Sequence, residues 1–107
     1  MIPLPIAVAD YLAADKAKDA DGVAACFTAD ARVDDEARTY VGRAAIALWK
    51  RDTTDKYQYD VEPIEAAAHG ASVTVRARLS GNFPNSPLEL DYTFTLTGDK
   101  ISQLTID

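Results

Sequence analysis

Three stretches of strict apolar–polar alternation fill the second half of this sequence and limit what it can become. In the first, Tyr57, Tyr59 and Val61 alternate with Gln58, Asp60 and Glu62. In the second, Val73, Val75, Ala77 and Leu79 alternate with Thr74, Arg76, Arg78 and Ser80. In the third, Leu88, Leu90, Tyr92, Phe94 and Leu96 alternate with Glu89, Asp91, Thr93, Thr95 and Thr97. Successive side chains of a strand point to opposite faces, so a period of two marks strands with one face in a core. His69-Gly70 and Gly98-Asp99 are turn signals, and residues 81–87 (Gly-Asn-Phe-Pro-Asn-Ser-Pro) form a longer loop. If Leu79 faces Leu88 across that loop, Arg78 meets Glu89 and Arg76 meets Asp91. Opposite charges directly across an antiparallel pair are favourable, so this register is self-consistent. Ile101, Leu104 and Ile106 make a last strand, and the change of parity between Ile101 and Leu104 implies a bulge.

The first half has a different period. Pro3 and Pro5 suit a helix start, where a missing N–H costs little. Ile6, Ala9, Ala13 and Ala17 make an apolar stripe, widened by Val8, Tyr11 and Leu12, so a first helix is predicted from roughly Pro5 to Lys16. Its alanine content implies that something approaches closely and leaves some space. Asp19 is the expected N-cap of a short second helix, with Val23, Cys26 and Phe27 on its buried side and Thr28-Ala29-Asp30 at its end. Ala31 to Asp35 reads as a short strand. Ala31, Val33 and Asp35 share one face, and Arg32 and Asp34 the other, which sends a carboxylate inward with Val33. Gly42 opens a third helix with Ala45, Ile46 and Trp49 on one face, and Lys50, Arg51 and Lys56 are expected in its last turn and beyond. Three helices and a small strand, then a long antiparallel sheet, is an α+β pattern with helices packed on one sheet face.

A chain of 107 residues is the size of one domain, here residues 1–107. The formal charge of -6 repels phosphate backbones, so nucleic acid is not an expected partner. No apolar run approaches the roughly 20 residues of a membrane helix, so no membrane partner is expected. The opening Met1-Ile2-Pro3-Leu4-Pro5-Ile6 does not read as a secretory signal, and one cysteine, Cys26, makes no internal disulfide. A cytoplasmic location is the expectation.

Three ordered segments carry a resemblance. They are Phe27-Thr-Ala-Asp30-Ala31-Arg-Val33-Asp-Asp35, Tyr40-Val-Gly42-Arg-Ala-Ala-Ile46-Ala-Leu-Trp49 and Gly98-Asp-Lys100-Ile101. With the strand pattern, they make the chain similar to the SnoaL-like branch of the nuclear transport factor 2-like superfamily over nearly its whole length. The resemblance implies a cone-shaped, cystatin-like α+β fold, in which three N-terminal helices pack against a strongly curved antiparallel or mixed sheet around an apolar cavity. Relatives include polyketide cyclases, ketosteroid isomerases and dehydratases. The isomerase branch has a tyrosine on its first helix that donates to a developing oxyanion, and an aspartate at the end of its first strand that moves the proton. Tyr11 and Asp35 occupy these positions. The branch's second oxyanion donor is a protonated aspartate, and here Tyr92 stands in its place with Asp91 facing the other way. Glu36 replaces the proline that often follows the base. A general acid–base pocket survives these departures better than steroid isomerisation does. Pairing through the sheet, common among such relatives, implies a homodimer.

Asp35 has two readings: a general base in an apolar cavity, raised by desolvation, or a structural carboxylate, either exposed in a turn or ion-paired with Arg38 or Arg43. Tyr11 and Tyr92 are the candidate oxyanion donors, and each could equally fill the core with its ring. Trp49, Phe27, Val33, Phe83 and Tyr57 are the expected cavity walls for a small apolar or aromatic molecule. Trp49 could also serve packing alone, and Phe83 could tip either a lid or a rigid connection held by Pro84 and Pro87. No zinc spacing, phosphate-cradling glycine loop, Cys–His pair or Ser–His–Asp triad is legible, so no metal and no cofactor are expected.

Overall fold

The computed structural model describes residues 4–56 and 58–107; Tyr57 lies outside the described residues. The chain runs α1 (Ile6–Lys16), α2 (Ala20–Ala25), β1 (Phe27–Asp35), β2 (Arg38–Val41), α3 (Arg43–Lys56), β3 (Tyr59–His69), β4 (Ser72–Gly81), β5 (Leu88–Thr97) and β6 (Lys100–Ile106). The six strands form one mixed sheet in the order β2-β1-β6-β5-β4-β3. All neighbours are antiparallel except β1 and β6, which run parallel. The helices cover one face.

The alternation in β4 and β5 does what its period dictates. Val73, Val75, Ala77, Tyr92 and Phe94 are buried, while Arg76, Arg78 and Glu89 are exposed. Leu79 pairs with Leu88, Arg78 with Glu89 and Arg76 with Asp91. The ion pairs form across this register, Arg76 Nε reaching Asp91 Oδ1 at 3.1 Å and Arg78 Nη2 reaching Glu89 Oε2 at 3.6 Å. The β5–β6 register slips between Thr95 and Leu96, so Ile101 and Leu104 both turn inward and are fully buried. β3 runs on past Glu62 to His69 as an edge strand. That position tolerates Pro63, and an irregularity follows it before Glu65.

The helices differ from the sequence expectation in three places. The stripe Ile6, Ala9, Ala13 and Ala17 faces solvent, with Ile6 80% exposed. The buried face of α1 is Ala7, Val8, Tyr11 and Asp15. Alanine suits either side of a helix, so the larger side chains, which remove more apolar area from water, decide the rotation. The alanine stripe therefore does not line the cavity side. Next, α2 ends at Ala25, and β1 already begins at Phe27 rather than Ala31. Asp19 does cap α2, its carboxylate accepting from the Gly22 N–H at 3.0 Å. Finally, α3 continues to Lys56, so Lys50 sits mid-helix and is buried rather than at the helix end.

β1 and β2 are joined by Glu36-Ala37, with φ of +50° and +64°. Both central residues of such a two-residue hairpin need positive φ, a conformation natural for Asn-Gly and strained for Glu-Ala. The turn follows Asp35 directly, so the strain lies beside the inward carboxylate. Replacing Ala37 with glycine should raise the unfolding free energy by about 0.5–1 kcal/mol, the steric relief outweighing the added chain entropy. Urea unfolding of the two proteins measures it, and an unchanged midpoint would mean the turn is unstrained.

Candidate functional site

Between α3 and the inner faces of β3 to β6 lies an apolar cavity of about 200 Å³. Trp49, Lys50 and Thr53 of α3 form one wall, Leu79, Leu88, Leu90, Tyr92 and Ile106 the sheet wall, and Phe83 and Pro84 of the loop its rim. Asp35, Glu36 and Tyr59 complete the lining. The loop is tied down: the Gln58 N–H donates to Asn82 Oδ1 at 2.9 Å, the Asn82 N–H to the Gln58 carbonyl at 3.1 Å, and the Gly81 N–H to Ser86 Oγ at 2.9 Å.

Asp35 ends β1 on the inward face, as the period of two requires, and is half-buried in the lining. The Trp49 indole N–H donates to its Oδ2 at 3.0 Å. No ion pair holds it among the described residues, and Arg43 instead donates from Nε to the Phe27 carbonyl at 2.9 Å. Burial pushes the Asp35 carboxyl above its ordinary value of 3.8, with Glu36 adding to the rise and the indole and Lys50 opposing it. Asp34, on the other face, is held below the ordinary range by the Thr39 hydroxyl at 2.7 Å and by Arg32 at 3.0 Å. Two neighbouring carboxylates at the end of β1 are thus shifted in opposite directions.

Tyr11 is fully buried, its ring edge-on to Phe27 and Phe94 at 6.0 and 5.2 Å. Its hydroxyl has no hydrogen-bond partner among the described residues, and the residue stands behind the cavity wall rather than on it. Burial raises its pKa well above 10.0, followed by the charge of Asp15. Tyr92, Trp49 and Phe83 line the cavity, whereas Phe27 and Val33 are sealed in the core.

Sequence reasoning missed the buried charged pair at the cavity wall. Lys50 Nζ donates to Asp15 Oδ1 at 2.9 Å, with side-chain exposures of 2% and 3%. The same ammonium donates to the Tyr59 hydroxyl at 3.4 Å and lies 4.3 Å from the Trp49 ring centre. The available signal was Asp15, four residues after Tyr11 and therefore on its face of the helix. Among the described residues, no group of three or more His, Cys, Asp or Glu side chains is placed to share a metal ion. Nor does any described helix have the length and apolarity to cross a membrane.

A family model described as a SnoaL-like domain matches residues 8–103. A candidate polyketide cyclase from Sinorhizobium meliloti superposes with a TM-score of 0.94 at 38% identity, covering 97% of this chain and 95% of its own. A protein with a ketosteroid isomerase-like fold from Catenulispora acidiphila, solved with trimethylamine, gives 0.83 at 24% identity over 98% and 86% of the two chains. A cystatin-fold protein from Novosphingobium aromaticivorans gives 0.81 at 18% identity over 94% of each. The comparison with curated proteins returned no match.

Two stability measurements test this geometry. Tyr11→Phe removes a buried hydroxyl that has no partner among the described residues and should leave stability unchanged or raise it by about 1 kcal/mol; a loss of that size would reveal a hydrogen bond. For Asp35, the folded protein holds the proton more tightly than the unfolded chain, so stability falls as pH rises from the ordinary 3.8 through the raised folded value. Asp35→Asn, which keeps an oxygen for the indole, should therefore be the more stable protein at pH 7. The advantage should vanish below 3.8. Urea unfolding across pH checks the sign.

Proposed function

The chain belongs to the SnoaL-like domain family, and we propose that it binds a small, mostly apolar carbonyl compound in its cavity, where Asp35 moves a proton beside the carbonyl, as in cofactor-free isomerisation or cyclisation. The observation that carries this reading is Asp35 itself: a carboxylate half-sunk in an apolar wall, oriented by an indole N–H and without an ion-pair partner among the described residues. Desolvation moves a carboxylate towards the operating pH, which is what a general base needs. Developing negative charge on the substrate oxygen requires a donor, and the presence of Tyr92 in the cavity lining supports it as a candidate. The cavity is smaller than the roughly 300–1,000 Å³ of drug-sized sites, which favours a compact ring over a steroid.

A second reading, a non-catalytic pocket for the same class of molecule, is favoured by Tyr11. The isomerase-like donor position is filled, yet its hydroxyl is sealed behind the wall. Proton–deuterium exchange next to the carbonyl of 2-cyclohexenone and related small ketones, followed by NMR in D2O, separates the two. For the enzyme, exchange should fall about 10²–10⁴-fold in Asp35→Asn with binding retained, and the wild-type rate should rise with pH through the Asp35 pKa. Equal rates in both proteins would remove Asp35 from the mechanism. Binding without exchange in either would select the second reading.

A further inference from the structure

We infer that the Tyr59 hydroxyl, in addition to Tyr92, is a group through which the cavity grips a ligand oxygen, and that the buried Asp15–Lys50 pair aims it. The inference deepens the small-molecule reading of the cavity and rests on it.

An ammonium has no lone pair, so in its contact with Lys50 the Tyr59 oxygen accepts. The phenolic hydrogen is then directed away from Lys50, and no acceptor takes it among the described residues. Tyr59 lines the cavity, so the free donor direction is open to a ligand there. Burial pushes the Tyr59 pKa above its ordinary 10.0, with Asp15 and Asp35 contributing, which keeps the hydroxyl a donor rather than a base.

Lys50 is fixed on several sides. Asp15 takes its strongest bond, Trp49 lies under its charge at 4.3 Å, and the Tyr11 ring is 5.5 Å away. Lys50 itself belongs to the cavity wall, but its ammonium is engaged by Asp15 and by the Tyr59 oxygen, so the role argued for it is to position the Tyr59 hydroxyl. Asp15 also cancels its charge, while Asp35 and Glu36 add negative charge to the lining. A free carboxylate or phosphate is therefore repelled. The favoured class is a small neutral compound with one carbonyl or phenolic oxygen, whose partial negative charge the polarised hydroxyl stabilises.

p-Nitrophenol is the probe, with p-nitrotoluene as its counterpart lacking the oxygen. Wild type should bind p-nitrophenol about tenfold more tightly than Tyr59→Phe, while p-nitrotoluene binds both alike. The absorption band of bound p-nitrophenol reports its ionisation. Its pKa should be higher in Tyr59→Phe, and higher too in an Asp15→Asn/Lys50→Met double variant, which removes both charges together. A merely structural role for the pair would leave that pKa unmoved. Equal affinity and equal pKa in wild type and Tyr59→Phe overturn this inference alone. No binding to wild type, or binding that survives filling the cavity by Leu90→Trp, overturns the cavity reading as well. If the double variant does not fold, Tyr59→Phe decides the matter.

Discussion

An ion pair with almost no access to water, Asp15 to Lys50, joins the first helix to the third and sets the geometry around it. Desolvating two charges costs several kcal/mol per ion, and that cost is offset only where geometry is good and further partners are present. Here the bond is 2.9 Å, a tyrosine hydroxyl takes a second donor direction, and an indole face takes the charge. Rotating α1 by one residue would carry Asp15 and Tyr11 off the buried face together and strand Lys50 in the core without its partner. The pair therefore acts as a register pin: it fixes the face of α1 that meets the sheet, the depth of α3, and with α3 the position of Trp49.

Trp49 carries that constraint to the cavity mouth. Its ring covers Lys50, its N–H holds Asp35, and Tyr40 of the β1–β2 hairpin lies 6.0 Å from it on centres. One side chain so links the buried cation to the half-buried carboxylate. The two charged groups are held apart by an aromatic plate instead of collapsing into a salt bridge that would hold Asp35 ionised at low pH. The environment of Asp35 is thus a product of packing two helices away.

The sheet was legible in the sequence because its signals are local and redundant. Alternation, turn residues and the pairing of Arg76 with Asp91 and Arg78 with Glu89 agree on one register, and the Ile101–Leu104 spacing announces the bulge. Asp35 was legible for the same reason, parity with Val33. The first helix was not. Apolar residues surround it, so periodicity gave a stripe of alanines that the fold leaves in water, while the deciding residues were Val8 and Tyr11. Lys50 was hidden by a sound rule applied in the wrong place: a cation near a helix end is ordinarily solvated, but α3 runs on past it to Lys56. The partner that makes its burial tolerable lies 35 residues earlier, beyond any local window.

The central place of β6 has a consequence for assembly. Lys100–Ile106 lies between β1 and β5, and it alone connects the hairpin of β1 and β2 to the meander of β3, β4 and β5. Before that segment leaves the ribosome, the nascent chain holds two unjoined pieces, each with an open edge and an uncovered apolar face. Local pairing can proceed within each, but the core, and with it any cavity, forms only when the sheet is bridged. The contact that bridges it spans most of the chain, and closing such a long loop before any reward arrives slows folding. The interval in which open edges could pair with those of another chain therefore lasts until β6 has been made.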